Sequence, residues 1–280
     1  TVRMTTQETI RNIPVRGLQN ILALEAGVVQ QGGNLYVRGG RSGEVAYFVD
    51  GATATNPLFN TQSVGIIQEA LEEIQLQSGG YTAEFGGANS GIARATVRTG
   101  GNEFKATLDY QTDDFAAPGN QFLSTSSFGY RNAVLTVSGP LPYDVKFFLA
   151  GQHNFLRNRQ AMWLEPFKFE NLVTDELGAR PVGTPLPGPV ELKRNHLYNN
   201  WQEENSLQGT ILVPFDRIKL RFTGNYSTNE LPLANDWPNT LANYFRQDRT
   251  LRQTTDSYFA GLRATHVLGS HTFYEIGISY

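Results

Sequence analysis

The chain has 280 residues, which is enough for one or two domains with a hydrophobic core. Its net charge of −3 argues against a dedicated nucleic-acid binder, because such proteins carry a strongly basic face. The lack of cysteine excludes disulfide scaffolds, Cys-ligated zinc, iron–sulfur clusters and thiol catalysis. No apolar run approaches the roughly 18 residues of a transmembrane helix, whereas membrane-spanning β-strands need only an alternating pattern.

The composition and the residue pattern of the sequence change near Gly100 and Gly101. The segment before this pair is rich in Gly and contains Arg but no Lys. After it, alternating polar and apolar residues are separated by turn residues. We therefore predict a first domain over residues 1–101 and a second over residues 102–280.

The first domain reads as a small α+β unit. Thr5 followed by Glu8 forms a capping-box pattern, which predicts a helix start at Thr5, and Pro14 should end that helix. Leu18, Ile21 and Leu22 predict a second short helix with one apolar face.

Strand patterns follow these two helices. Residues 34–38 and 45–49 are short apolar-rich runs on either side of a Gly-rich turn, which predicts a hairpin or near-hairpin. Residues 66–71 predict a short helical segment, and residues 73–77 and 92–98 predict further strands.

The second domain carries the strongest periodic signal. In residues 218–227, Ile218, Leu220 and Phe222 alternate with Lys219 and Arg221, a period of two that places each set on one face of a strand. The same pattern predicts about seven strands, at 104–111, 132–138, 145–152, 206–215, 218–227, 258–265 and 274–280. Several approach the roughly 9–11 residues that cross a bilayer at a tilt.

The connections between these strands alternate between long and short. Long connections at about 112–129, 156–204 and 228–255 alternate with short ones at 139–144, 214–217 and 268–270. Outer-membrane barrels combine short periplasmic turns with long extracellular loops in this way. Because an open sheet in lipid leaves costly unpaired edges, we expect these residues to be the amino-terminal part of a longer chain that supplies further strands.

Several stretches of the first domain resemble one known family. They are LYVRGG at 35–40, YFVDG at 47–51, LEEIQLQSG at 71–79, and SGGYTAEFGGANSGIARATVRTGGNEF at 78–104. In this order and spacing they resemble the plug domain of TonB-dependent outer-membrane receptors, and the last is most similar to the Oar-like branch. The resemblance implies a mainly β membrane fold, with an α+β plug inside a large barrel of about 22 antiparallel strands.

The resemblance also implies a role and partners. The protein is expected in the outer membrane of a Gram-negative bacterium, importing an extracellular substrate with energy from TonB, which would bind a segment upstream of residue 1. Arg38 occupies the position at which the family fastens the plug to the barrel. Outer-membrane lipid, lipopolysaccharide and the remaining barrel strands are further expected partners, and a lipoprotein lid or a secreted protein is a possible one. Nucleic acid is not expected.

Candidate substrate-facing residues lie in two turns of the first domain and in the long connections of the second. The turn residues are polar or aromatic groups on either side of Asp50-Gly51, and the two tryptophans offer faces on which a ligand can stack. They are Arg41, Ser42, Glu44, Asn56, Phe59, Asn60, Trp163 and Trp237.

No catalytic or metal-binding constellation emerges from the sequence. The four His are scattered, without paired-ligand spacing, so we expect neither a metal, a cofactor nor an enzyme. Two rivals to import remain: an Oar-like plugged pore that serves protein secretion or outer-membrane complex assembly, and a soluble β-rich adhesin or binding module.

Overall fold

The computed structural model describes residues 2–32, 34–58, 60–81, 88–117, 120–157, 201–233 and 251–280. These residues form three β-sheets, of five, seven and two strands. The first domain begins with β1 (Val2–Thr6), α1 (Gln7–Asn12) and α2 (Leu18–Leu22). It continues with β2 (Val28–Gln31), β3 (Asn34–Val37), β4 (Val45–Val49), β5 (Ala52–Thr53), β6 (Leu71–Gln77) and β7 (Gly91–Val97).

The five-stranded sheet organises this first domain. Its strand order is β1-β6-β7-β4-β5, and among these neighbours only β4 and β7 run parallel. Leu18, Ile21 and Leu22 of α2 are all buried, as their spacing predicted, and α1 ends at Asn12, two residues before Pro14. Single turns of 3₁₀ helix lie at Ser42–Glu44 and Gln68–Ala70, the second within the predicted helical segment at 66–71.

Two local predictions are wrong. Thr5 does not cap a helix: it belongs to β1, its hydroxyl donates to Glu25, and the helix cap is Thr6. The predicted hairpin between residues 34–38 and 45–49 does not form either. Strand β3 pairs with β2, whereas β4 pairs with β7 and β5. This position inside the sheet pairs the backbone of β4 on both sides and places Val45, Tyr47 and Val49 in the buried core.

The second domain is one antiparallel sheet of seven strands in chain order. They are β8 (Lys105–Thr112), β9 (Tyr130–Pro140), β10 (Lys146–Leu156), β11 (Gln202–Phe215), β12 (Ile218–Pro232), β13 (Arg252–Val267) and β14 (Phe273–Ser279). The seven predicted strands and the mainly β fold class are therefore confirmed. Strands β8 and β14 are the edges of this sheet, which does not close on itself.

The two faces of this sheet differ in chemistry. The outer face carries Leu108, Leu207 and Tyr226, and each is at least 46% exposed. The opposite face, here called the inner wall, lies against the first domain, and its Gln208, Thr210, Thr223, Asn225 and Ser227 are buried polar residues. Apolar residues thus face outward and polar residues inward, the reverse of a water-soluble sheet.

A few apolar residues of the inner wall join the core of the first domain. Val134, Phe148, Ala150 and Phe259 lie in one continuous buried cluster with residues such as Ile67. The two domains therefore share a single core. No helix among the described residues is both long and apolar enough to span a membrane.

Candidate functional site

The first domain touches the inner wall through its own backbone at one side. The Gly65 amide donates to Ser227 Oγ at 3.3 Å, and Asn225 Nδ2 donates to the Gly65 carbonyl at 2.7 Å. Close by, the Ile67 amide donates to Gln208 Oε1 at 3.2 Å. Alternation along β11 and β12 brings these three side chains to the inner wall, where they bind the backbone of the first domain directly.

A buried carboxylate makes the most extensive contact between the domains. Asp50 follows β4 in a left-handed conformation (φ 49°), which turns the chain out of the sheet and points its side chain at the wall. Its carboxylate accepts hydrogen bonds from Arg221 Nη2 at 3.1 and 3.2 Å, and from Thr223 Oγ1 at 2.6 Å. The amide of Val97 in the neighbouring strand β7 adds another at 3.1 Å.

Two arginines of the wall hold the turn that Asp50 forms. Arg221 also donates to Thr99 Oγ1 at 2.8 Å and to the Val97 carbonyl, so it ties both β4 and the chain after β7 to β12. Arg263 of β13 donates to the Asp50 carbonyl. We call the contacts of Asp50 with Arg221, Thr223 and Arg263 the Asp50 latch. With Asp50 8% exposed and Arg221 20%, water screens this ion pair weakly.

The chain that leaves the first domain stays in contact with the wall. The guanidinium carbon of Arg98 lies 4.9 Å from the centre of the Phe148 ring, and Thr210 Oγ1 donates to the Arg98 carbonyl. Burial is the main cause that lowers the pKa of Arg98, whose cation is met by the Phe148 ring. These contacts bring the exit of the first domain against β10 and β11.

A polar cavity of about 910 Å³ separates α1 from the walls of β8 and β9. It is lined mainly by polar and charged groups, among them Arg11, Lys105 and Thr107. One charged link crosses it, from Arg16, which contacts Glu69 in its own domain, to Asp109 of β8 at 3.4 Å. The first domain is thus bonded densely to β11–β13 and loosely to β8–β9.

The predicted turn residues fall into two separate turns. Arg41, Ser42 and Glu44 come together at the 3₁₀ turn, where the Arg41 amide donates to Glu44 Oε2 at 2.9 Å. Asn56 and Asn60 form a second turn, in which the Asn60 amide donates to the Asn56 carbonyl at 2.8 Å. Phe59, Trp163 and Trp237 lie outside the described residues. A role of either turn in binding substrate stays a prediction.

Arg38, the predicted plug–barrel contact, has a left-handed backbone conformation (φ 52°). Its guanidinium lies beside the first domain's own Gly79, because a Cβ added there would be 3.1 Å from Arg38 Nη1. Its function as a fastener stays a prediction.

The residues of the Asp50 latch escaped sequence reasoning for a physical reason. In the sequence, Asp50-Gly51 indicates a turn, and the alternation in residues 218–227 places Arg221 on the polar face of its strand. Alternation assigns Arg221 to a face, but it does not say which side chain of another domain meets it. A usable signal was the carboxylate of YFVDG, which stands at the end of a buried strand, where an unpaired charge is costly.

The described residues contain no group of three or more His, Asp or Glu placed to hold a metal ion. The arrangement attaches the first domain to the inner wall through hydrogen bonds and ion pairs, beside a small apolar contact.

Comparison with known proteins identifies this architecture. A family model described as the TonB-dependent Receptor Plug Domain matches residues 1–92. The TonB-dependent transporter Oar of Myxococcus xanthus is 26% identical over 192 residues, which cover 62% of this chain and 18% of Oar. The resemblance to the plug domain and to the Oar-like branch is confirmed.

Solved structures match the fold over almost the whole chain. The siderophore receptor PirA from Acinetobacter baumannii superposes with a TM-score of 0.65 at 15% identity, covering 99% of this chain and 39% of PirA. The FrpB iron transporter from Neisseria meningitidis (F3-3 variant) superposes with a TM-score of 0.66 at 14% identity, covering 99% of this chain and 40% of FrpB. The chain thus spans about two fifths of the length of these structures.

Proposed function

Because this chain carries the plug domain of the TonB-dependent receptors ahead of strands of their barrel, we propose that it acts in an outer-membrane transporter that binds an extracellular substrate and imports it with energy from TonB. The observation that carries the proposal is the set of polar contacts between plug and inner wall, centred on Asp50. In this proposal the outer face meets outer-membrane lipid and lipopolysaccharide, and the plug ends near residue 101.

The nature of these contacts suits a plug that must seal and then move. A purely apolar interface would be held by the hydrophobic effect, which is lost only when the two surfaces separate far enough for water to enter. Hydrogen bonds and ion pairs can instead be exchanged one by one for bonds to water, since each contributes a net stabilisation of only about 0.5–1.5 kcal/mol, or up to about 3 when charged. The polar part of the interface can therefore be released bond by bond when the plug is pulled, while the apolar contacts of Val134, Phe148, Ala150 and Phe259 must separate with it.

A labelling experiment tests whether the plug moves. Thr210 is a buried residue of the inner wall, beneath the plug, and its hydroxyl donates to the Arg98 carbonyl. A cysteine at this position is therefore covered while the plug is seated. We expect the Thr210→Cys variant of the full-length protein, in its own host cells, to react with a membrane-impermeant maleimide only when TonB and the proton gradient are present. Equal labelling without TonB would contradict TonB-driven import.

Two controls make this result specific. Thr107→Cys faces the polar cavity and should be labelled with or without TonB. A plug tether comes from Gly65→Cys with Ser227→Cys, since a Cβ at Gly65 would lie 3.1 Å from Ser227 Cβ, close to disulfide range. Oxidation of this pair should abolish labelling at Thr210, and reductant should restore it.

A strain that lacks the gene distinguishes import from export. We expect deletion of the gene to abolish receptor-dependent uptake while leaving the pattern of secreted proteins unchanged. The opposite result would assign the plugged pore to secretion.

A further inference from the structure

Two arginines stand directly opposite each other on the inner wall beside the plug. Arg221 of β12 and Arg263 of β13 are register partners in adjacent antiparallel strands. Both therefore project to the same side, with Cβ atoms about 4.5–5.5 Å apart. Like charges in this position are mutually destabilising, and an anion bound between them offsets the repulsion.

The plug supplies one carboxylate for these two cations. Asp50 is ion-paired with Arg221 at 3.1 Å, while Arg263 reaches only the Asp50 carbonyl, which is neutral. Among the described residues, no carboxylate lies within ion-pair distance of Arg263. Glu275, on the neighbouring strand β14, is instead bonded to Thr265. With the plug seated, the described residues thus supply two cations and one carboxylate at this site.

Space for a ligand group lies at the same place. A cavity of about 110 Å³ has a polar side formed by Asp50, Arg221, Thr223, Arg263 and Ser279, and an apolar side that includes Phe259, Leu262 and Ile278. Two guanidinium groups and a hydroxyl form the donor set that carboxylate and phosphate oxygens require. In the seated state the carboxylate of Asp50 satisfies the part of this set formed by Arg221 and Thr223.

We propose that Arg221, Arg263 and Thr223 form an oxyanion-binding site on the barrel wall, and that Asp50 of the plug occupies it until the plug moves. Withdrawal of Asp50 uncovers two adjacent cations that face the lumen. A carboxylate or phosphate group of a passing solute then replaces the Asp50 carboxylate. This last step rests on the proposed transport function, whereas the binding site itself does not.

The test removes the charge of Asp50 and supplies an anion from solution. In the purified full-length Asp50→Asn protein, Asn retains the shape and tolerates the left-handed backbone. We expect phosphate, compared with chloride at equal ionic strength, to raise the melting temperature of Asp50→Asn in a saturable manner and by more than that of the wild type. Acetate in a parallel titration distinguishes a carboxylate site from a phosphate site.

Matched variants identify the arginines as the source of the effect. Adding Arg263→Gln or Arg221→Gln to Asp50→Asn should remove the extra phosphate shift, whereas adding Arg131→Gln, on the outer side of β9, should retain it. An equal phosphate response in wild type and Asp50→Asn, or one that survives Arg263→Gln, would overturn the proposal.

A second measurement tests the site even if the plug of the Asp50→Asn protein does not bind in its place against the inner wall. In planar bilayers, any pore opened by Asp50→Asn should prefer anions, and Arg221→Gln with Arg263→Gln should cancel that preference. A cation-selective Asp50→Asn pore would contradict the site. The two proposals can fail separately. If phosphate binds as expected but Thr210→Cys labelling does not depend on TonB, import is refuted and the oxyanion site is retained.

Discussion

Gly100 shows how closely the plug exit approaches the barrel. A Cβ added at Gly100 would collide with the backbone of Phe147 in β10, although the neighbouring Gly101 has open space around it. The first of the two glycines therefore permits a backbone-to-backbone approach that any side chain would prevent.

We expect Gly100→Ala to destabilise the full-length protein by about 1–3 kcal/mol, because backbone atoms cannot move aside as a flexible side chain can. Gly101→Ala is the matched control and should change the free energy of unfolding by less than about 0.5 kcal/mol. Urea unfolding in lipid vesicles measures both. Equal effects at the two positions would show that the approach of residue 100 to β10 is not structurally required.

Tyr47 gives the plug a sensitivity to alkaline pH. Burial in β4 raises its pKa from 10.0 to about 12. Between these pH values the unfolded chain loses the phenolic proton while the folded plug retains it, so the stability present below pH 10 decreases as the pH rises towards 12.

Tyr47→Phe should remove this decrease, which amounts to about 2–3 kcal/mol in total. Denaturant unfolding of the full-length protein at a series of pH values measures the slope for each variant. Tyr143→Phe, in the exposed turn between β9 and β10, should leave the slope of the wild type unchanged. A steep alkaline loss that persists in Tyr47→Phe would assign the effect to another group.

At the scale of the element, β8 offers the sharpest test of the two faces. Leu108 on the outer face is 72% exposed, whereas its neighbour Thr107 points to the polar cavity and hydrogen-bonds Thr136 at 2.6 Å. The two residues are consecutive in the strand, about 3.3 Å apart along it, and project to opposite faces.

In the proposed transporter the outer face meets lipid, so Leu108→Arg places a charge in the lipid layer and should cost about 2–4 kcal/mol. Thr107→Arg should cost much less, because the cavity is polar and has room for the side chain. Folding titrations of the full-length barrel into vesicles compare the two. A larger penalty at Thr107 than at Leu108 would reverse the assignment of the faces.

Elements were predictable wherever periodicity repeats over many residues. The seven long strands of the second domain follow from alternation alone, since a strand in a barrel must present lipid on one side and polar surroundings on the other. The errors concern short segments. Thr5 matched a helix cap yet lies in β1, and β3 found its partner in β2, because tertiary pairing outweighs local propensity over four or five residues.

On the scale of the whole molecule, the outer faces of the seven strands form one apolar surface. Tyr258 is 65% exposed and Ile278 67%, and they lie on the same outer side as Leu108. Exposed apolar area of this extent is rare on water-soluble monomers.

We therefore expect the full-length protein to be monodisperse in detergent and to aggregate in plain buffer. Size-exclusion chromatography with light scattering, with and without detergent, distinguishes these states. A monodisperse sample in plain buffer would favour the rival identification as a soluble adhesin.

The sequence by itself determined the seven strands, their polar and apolar faces and the resemblance to the plug domain of TonB-dependent receptors, because periodic patterns and short motifs are local properties. Only the tertiary structure decided which residues join the two domains. Asp50 and Arg221 are far apart along the chain, and a hydrogen-bonded ion pair forms only where two separate folds bring its partners within about 3 Å. Neither the pattern around Asp50 nor the alternation around Arg221 indicates that the two side chains meet.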